Sequence, residues 1–205
     1  MSYAGIILLG GKAQRLGGGD KSSLMIGQKT CFDRVYKVLS ETISEVAISV
    51  ASGQSSTLQP ELTHIEDVKS PTGKGGVALA ILACLQWAQS QDLKYIITTP
   101  VDTPFLPMDF VSNLMTQFER VNQSAPVAVQ CEDDFHGLHA LWPVACLDLL
   151  RSLIVDEGVY KIRGLHKALK SSICEFERGT YDPFMNINTP ADIDAAQKVL
   201  QHLSI

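Results

Sequence analysis

The chain has 205 residues, of which 45% are hydrophobic and 19% are charged. This composition is typical of a globular protein, and we expect one domain over residues 1–205. The formal net charge of -5 argues against a nucleic-acid-binding surface spread over the whole molecule, because such surfaces need clustered Lys and Arg.

Hydropathy and cysteine spacing further limit the classes of protein to which the chain can belong. The longest uninterrupted apolar stretch, 77–85, is far shorter than the ~20 residues that a membrane-spanning helix needs. The first residues lack a basic segment followed by a cleavable apolar core, so we expect a cytoplasmic protein. The five cysteines contain no CxxC pair, which favours neither a disulfide framework nor a zinc site. We expect Cys84 and Cys146 to be buried thiols.

Strand-length apolar runs alternate with longer amphipathic segments along the chain. This alternation predicts an α/β fold of Rossmann-like type, a mostly parallel central sheet flanked by helices. Thr189 and Pro190 have the residue types of a helix N-cap and of a first helical position. The predicted strands are 6–9, 46–50, 95–99, 126–129, 139–142 and 172–177, and the predicted helices are 32–43, 77–88, 107–120, one after Pro143, 158–169 and 189–203.

A glycine-rich loop, residues 10–23, directly follows the first predicted strand. Its five glycines let backbone N–H groups approach a ligand closely, and its cations, Lys12, Arg15 and Lys21, can neutralise oxyanions. We interpret the loop as a phosphate-binding site. The alternative is a surface turn with solvated lysines. Neither GxxxxGK[ST] nor GxGxxG is present, so the loop is not a standard nucleotide motif.

A second candidate element is the sequence Pro-Val-Asp-Thr-Pro at 100–104, which follows a buried-strand pattern. Two prolines restrict this turn, so Asp102 would be held rigidly at a strand end. A carboxylate there could bind Mg²⁺ and share it with phosphate groups. The alternative is an aspartate that only forms the turn.

Two further polar stretches follow predicted strands or precede a helix. Glu66 and Asp67 come after a strand ending at Ile65, and they bind a ligand or form an acidic loop before a helix. Asn186 and Asn188 flank Ile187 and so would point to the same side of an extended segment. Their amides bind phosphate or metal-bound water, or they form turns. Because ligands bind at the carboxyl ends of strands in open α/β sheets, we expect the loops at 10–23, 66–76 and 100–107 to converge there.

Taken together, these stretches resemble the molybdenum cofactor guanylyltransferase family over nearly the whole chain. The sequence LLGGKAQRLGGGDK at 8–21 is similar to the family's opening LAGGxxxRMGGxDK. The later family features follow in order: the acidic pair at 66–67, PxDTP at 100–104, HxxxA at 136–140 and NxNTP at 186–190.

The resemblance implies a single nucleotidyltransferase domain that joins GTP to Mo-molybdopterin with Mg²⁺ and releases pyrophosphate. It implies that the product serves molybdenum-cofactor delivery or acceptor proteins, with no nucleic acid and no membrane involved. Carried over by motif, the catalytic residues are Arg15 and Lys21 at the phosphates and Asp102 at the metal. The implied nucleotide-binding and substrate-binding positions are Leu8, Leu9, Gly10, Gly11, Lys21, Ser49, Asp67, Asn186 and Asn188.

Three positions differ from the family pattern: Leu9 replaces the usual alanine, Ser49 stands where some members have asparagine, and 73–77 reads GKGGV rather than GPLAG. They lie near the predicted nucleotide and bear on base choice and substrate affinity. Another nucleotidyltransferase using CTP or a sugar phosphate, and a non-catalytic nucleotide-binding cofactor chaperone, are the alternatives.

Three other features of the second half are open between structure and function. His136 and His139 either pack in the fold or contact the pterin phosphate. The basic run at 161–170 is interpreted as a solvated helix face, with docking of an anionic cofactor or its carrier as the alternative. Trp142 is expected in the core.

Overall fold

The computed structural model describes residues 2–9, 21–53, 59–69, 73–121 and 124–203. Within these ranges the chain forms nine strands and six α-helices. The strands are β1 (Tyr3–Leu8), β2 (Met25–Ile26), β3 (Lys29–Thr30), β4 (Val46–Val50), β5 (Thr63–Glu66), β6 (Tyr95–Pro100), β7 (Val127–Cys131), β8 (Asp134–Pro143) and β9 (Ser172–Phe176). The helices are α1 (Cys31–Ser40), α2 (Val77–Ser90), α3 (Phe110–Arg120), α4 (Leu147–Val155), α5 (Ile162–Ala168) and α6 (Pro190–Leu203).

Seven of the described strands form one sheet in the order β5-β4-β1-β6-β8-β7-β9. The neighbours β5-β4, β4-β1, β1-β6 and β7-β9 are parallel, whereas β8 runs antiparallel to both β6 and β7. The predicted mostly parallel α/β sheet is therefore confirmed. Because β1 connects to β4 on one side and β6 lies on its other side, the order of strands reverses beside β1. Ligands of open α/β sheets bind at such a reversal.

Helices cover both faces of this sheet. Ile6 packs with α2, α4 and α5 on one face, and the next residue, Ile7, packs with α1 and α3 on the other. Alternation of side chains between the two faces explains why β1 reads as a continuous apolar run. Cys84 of α2 and Cys146 before α4 are buried in the first of these cores, and Trp142 is fully buried there, as predicted.

Several boundaries differ from the sequence-based prediction for local reasons. The sequence pattern starts a strand at 139, but β8 begins at Asp134, since a tight turn in which Glu132 has φ +51° links it to β7. The helix predicted from 158 begins at Ile162, because Gly158 has φ +69° and Lys161 is extended. The short β2–β3 hairpin was not predicted at all.

A third apolar cluster lies at the carboxyl edge of the sheet, where α6 packs over the β2–β3 hairpin. The predicted start of α6 is confirmed: the Asp192 N–H donates to the Thr189 hydroxyl at 3.3 Å, and the Asp192 carboxylate accepts from the Thr189 N–H at 2.8 Å. This reciprocal capping fixes how the chain enters α6. None of the described helices has the length and apolarity required to cross a bilayer.

His166 of α5 is a buried polar group that ties α5 to β8. Its Nε2–H donates to the Gly137 carbonyl at 2.8 Å, and its Nδ1 accepts from the Ser171 hydroxyl at 2.8 Å. Its ring packs on Trp142 with centroids 4.5 Å apart. Burial lowers the pKa of His166 to about 4, so the folded protein holds the imidazole neutral.

This buried imidazole generates a pH dependence of stability. Below the ordinary histidine pKa of about 6.5, the unfolded chain binds a proton that folded His166 does not bind. We expect the free energy of unfolding to fall as the pH drops from about 6.5 towards 4, at up to about 1.4 kcal/mol per pH unit from this residue. Urea unfolding at several pH values, compared with H166Q, measures the effect. An equal pH slope in the two proteins would contradict it.

Candidate active site

The carboxyl ends of the central parallel strands are held together by backbone hydrogen bonds. Leu8, the last residue of β1, is in register with Ser49 of β4 and with Pro100 of β6. The Leu9 N–H donates to the Ser49 carbonyl, and the Val101 N–H donates to the Leu8 carbonyl, each at 3.1 Å. The Leu8 side chain is buried in the core, so only its main chain faces the edge of the sheet. The chain segments that leave β1 and β6 therefore begin side by side, and β5 lies one strand farther along, next to β4.

Ser49 and Asp67 form one unit on the β4–β5 side of this edge. Ser49 is only 3% exposed, and its hydroxyl donates to the Asp67 carboxylate at 2.8 Å. The Asp67 N–H in turn donates to the Val50 carbonyl at 2.9 Å. Burial raises the pKa of Asp67, the hydrogen bond from Ser49 opposes that rise, and the neighbouring charge of Glu66 adds to it. Ser49 thus orients the Asp67 carboxylate and favours its charged form.

The turn that carries Asp102 is rigid for a reason beyond its prolines. The Thr103 hydroxyl donates to the Pro100 carbonyl at 2.9 Å, which closes the turn around Asp102. Pro104 and Thr103 are both buried, while Asp102 is half-buried. A half-buried carboxylate at the end of β6 is thereby held beside the end of β1.

His139 of β8 supports this turn from behind. Its Nε2 lies 3.1 Å from the Thr103 hydroxyl oxygen. Both hydrogen bonds form when the Thr103 hydroxyl donates to the Pro100 carbonyl and accepts from Nε2–H of His139. Burial, and secondly the neighbouring His136, lower the pKa of His139 to about 3. His139 packs in the fold, and it also lines a cleft beside Pro100 and Asn186.

The segment before α6 crosses the same edge. The Ile187 N–H donates to the Asp102 carbonyl at 2.9 Å, and the Ile187 side chain is fully buried. Asn186 is exposed and Asn188 is half-buried. The Asn188 N–H donates to the Asp192 carboxylate at 2.9 Å, so the cap of α6 also fixes this asparagine. The two asparagines are therefore brought to the Asp102 turn.

A cleft of about 330 Å³ opens on the β8 side of Asp102. The Arg163 guanidinium lies over the Phe135 ring, 4.6 Å from its centroid, and gives the cleft a positive charge. Half-buried His136 lies beside it, with Nε2 3.9 Å from the Asp182 carboxylate. The lining includes Pro100, Phe135, His136, Ile162, Arg163 and Asn186.

The sequence reasoning located only part of this arrangement. Arg163 was assigned to a solvated helix face, and it is exposed, but it also lines the cleft. No role was assigned to Thr103 or Phe135. The HxxxA pattern was the available signal for β8, but it does not identify a partner for His139 that is distant in sequence.

Some predicted site residues cannot be placed. Gly10, Gly11 and Arg15 lie outside the described residues, and their roles stay predictions. Lys21 begins a short 3-10 turn, Lys21–Ser23, but its side chain lies outside the described part.

The Ser49–Asp67 hydrogen bond gives a direct test. In Ser49→Ala the carboxylate loses a donor that favours its charged form, so we expect the pKa of Asp67 to rise further. Carboxyl ¹³C shifts followed through a pH titration measure it. Ser52→Ala is the matched control, since the Ser52 hydroxyl donates to Glu66 at 3.0 Å rather than to Asp67. An unchanged pKa of Asp67 in Ser49→Ala would disprove the assigned role of Ser49.

Comparison with known proteins agrees with the fold of the chain. The MobA-like NTP transferase domain family matches residues 5–171. A molybdenum cofactor guanylyltransferase of Acidiphilium cryptum (strain JF-5) is 34% identical over 94% of this chain and 92% of its own length. A molybdenum cofactor guanylyltransferase of Mesorhizobium japonicum is 32% identical over 98% of this chain and 97% of its own length. The crystal structure of molybdopterin-guanine dinucleotide biosynthesis protein A from Archaeoglobus fulgidus has the same fold, with a TM-score of 0.74, 20% identity and coverage of 98% of this chain and 99% of that chain. The chain belongs to the MobA-like NTP transferase domain family.

Proposed function

We propose that this protein transfers GMP from GTP to the terminal phosphate of Mo-molybdopterin, forming the molybdopterin guanine dinucleotide cofactor and pyrophosphate. The observation that carries the proposal is the position of Asp102 between two different surfaces. Its turn adjoins the end of β1 on one side and shares Pro100 with the cleft on the other. A transferase that joins two substrates needs such a shared group between two binding surfaces.

The nucleotide side is formed by the ends of β1, β4 and β5. The glycine-rich loop follows β1 directly, and Asp67 lies on the far side of β4 from β1. We assign the triphosphate to the glycine-rich loop, with Lys21 and Arg15 as its cations, and assign Asp67 to the nucleoside. Gly10 and Gly11, whose lack of side chains permits close approach of a planar base, complete this side.

The β8 side suits the second substrate. Its cleft has the size of a small-molecule site, and it combines apolar walls with Arg163, His136 and Asn186. Arg163 presents a planar, always charged group that matches a phosphate. The apolar walls at Phe135 and Ile162 suit a ring system such as a pterin. The expected macromolecular partners of the protein are proteins that deliver molybdopterin or accept the product.

The donors at the edge of the sheet fit a magnesium ion of the kind used with phosphates. The described residues contain no group of three or more His, Cys, Asp and Glu side chains that could hold a metal alone. Mg²⁺ in phosphoryl-transfer sites is instead bound through one or two carboxylates plus substrate oxygens, and Asp102 can supply that carboxylate. When bound, Mg²⁺ supplies neutralisation of phosphate charge.

The reaction itself demands positioning more than covalent chemistry. An oxygen of the pterin's terminal phosphate attacks the α-phosphorus of GTP, and the bond from that phosphorus to the β-phosphate bridging oxygen breaks. Pyrophosphate leaves with that electron pair, so no protein nucleophile is needed. The chain's own work is to orient the two substrates in line across Asp102 and to hold the leaving phosphates at the glycine-rich loop.

Pyrophosphate release with molybdopterin and each of GTP, CTP and ATP tests the proposal. We expect release with GTP and little with CTP or ATP, because the loop at 8–21 is similar to the opening motif of the guanylyltransferase family. Preferred use of CTP would identify a different nucleotidyltransferase. GTP binding without release in the presence of the pterin substrate would identify a non-catalytic binding protein.

Asp102→Asn removes one charge at the point where both substrates meet. We expect kcat to fall by about 10²- to 10³-fold, roughly 3–4 kcal/mol, with the thermal unfolding temperature nearly unchanged. The matched control on the cleft side is Arg163→Ala, which should raise KM for the pterin substrate and leave KM for GTP unaltered. Near-normal kcat in Asp102→Asn would reject its role at the metal.

A further inference from the structure

His139 is too well connected to be only a core residue. It is 2% exposed, and its ring touches both elements that carry the polar residues at the edge of the sheet. On one side Nε2–H donates to Thr103, next to Asp102. On the other side the ring packs edge-on against Phe184, with centroids 4.9 Å apart, two residues before Asn186.

The polar path from His139 to the turn is short. Nε2–H of His139 reaches the Thr103 oxygen at 3.1 Å, and the Thr103 proton reaches the Pro100 carbonyl at 2.9 Å. These two bonds span the base of the loop that carries Asp102. The His139–Thr103 bond is buried and the Thr103–Pro100 bond is part-buried, and a buried hydrogen bond is costly to break.

The aromatic surroundings fix the imidazole in this orientation. Phe110 packs edge-on against the ring at 90°, with centroids 6.1 Å apart, and His136 lies at 84° and 5.8 Å. A ring confined in this way cannot rotate its donor away from Thr103 without displacing Phe184 or Phe110. Because burial keeps the pKa of His139 at about 3, the ring adds no positive charge beside the proposed metal carboxylate.

We propose that His139 is a positioning residue for guanylyl transfer: through Thr103 it fixes the Asp102 turn, and through Phe184 it aligns the Asn186 segment with that turn. The catalytic consequence of this role rests on the proposed function. Its structural part, the restraint of residues 100–104 by one imidazole N–H, does not depend on the reaction.

The first experiment measures hydrogen exchange of the backbone amides, which requires no turnover. In His139→Phe, which keeps a ring but lacks the N–H, we expect exchange at Val101, Asp102 and Ile187 to rise by up to about tenfold, the factor expected for one buried hydrogen bond. Amides in the middle of β1 should keep their exchange rates. His139→Gln, whose amide nitrogen supplies an N–H at a similar reach, should restore slow exchange. Unchanged exchange at the turn, or faster exchange throughout the sheet, would overturn the proposal.

A double-mutant cycle separates this path from general loss of core packing. Thr103→Val removes the same bond from the other end, so the double variant His139→Phe/Thr103→Val should exchange no faster at the turn than the faster single variant. Additive effects would disprove the coupling. Thr98→Val is the matched control, because Thr98 is an equally buried threonine that donates to the Leu138 carbonyl at 2.7 Å. It should leave exchange at Asp102 unchanged.

Steady-state kinetics then tests the catalytic consequence. We expect His139→Phe to lower kcat by about 10- to 100-fold with little change in KM for GTP, and His139→Gln to recover most of the loss. Altered exchange with unaltered kcat would overturn the positioning role while leaving the proposed function intact. Absence of guanylyl transfer in the wild-type protein would instead refute the proposed function, and the exchange data would still decide the restraint.

Discussion

A backbone hydrogen bond of 2.9 Å, from the Ile187 N–H to the Asp102 carbonyl, joins the segment that carries Asn186 and Asn188 to the turn that carries Asp102. Ile187 packs with Phe105 and Leu200 in a buried apolar cluster, so the bond lies where water cannot replace it. An unpaired amide there would cost about 1–3 kcal/mol, which favours one position of the segment over others. The asparagines on either side are therefore placed by backbone pairing and by the apolar residue between them.

The antiparallel direction of β8 explains how residues far apart in sequence reach this edge. Running against β6, β8 begins where β6 ends, so His136 and His139 lie beside Pro100. Farther along, the Thr98 hydroxyl donates to the Leu138 carbonyl and accepts from the Trp142 indole at 2.9 Å. A parallel strand would present its carboxyl end at this edge and leave these histidines differently placed. The departure from a fully parallel sheet is thus what builds the cleft on the β8 side of Asp102.

How far the sequence could predict this structure depends on the range of the interactions. The apolar run of β1 and the Thr189–Pro190 start of α6 are local signals, and both were predicted correctly. The pairing of His139 with Thr103 joins residues 36 positions apart, and no local pattern encodes it. The need for glycine at position 27 is likewise not encoded by a local pattern. Gly27 has φ +67° in the β2–β3 hairpin, and a Cβ there would lie 2.7 Å from Leu200, a contact that exists only after α6 has packed.

The same distinction between local signals and long-range contacts applies to the candidate site residues. Motif spacing located Asp67 and Asp102, because each follows a strand whose pattern is visible. It could not show that Ser49 holds the Asp67 carboxylate, since that bond crosses between two strands. Nor could it separate Arg163 from its basic neighbours, because the Phe135 ring beneath its guanidinium comes from a distant strand.

Charge placement beside the cleft bears on how an acidic chain would bind the proposed anionic substrates. The net charge is -5, and beside the cleft three acidic residues, Glu132, Asp134 and Asp182, surround one cation, Arg178. Arg178 lies 3.7 Å from Glu132 and 3.6 Å from Asp182, and it also contacts Asp134. Exposed ion pairs of this kind add little to stability, so their main effect is on the local field. Arg178 offsets the carboxylate that lies 3.9 Å from His136, and it thereby limits repulsion of an anion approaching Arg163.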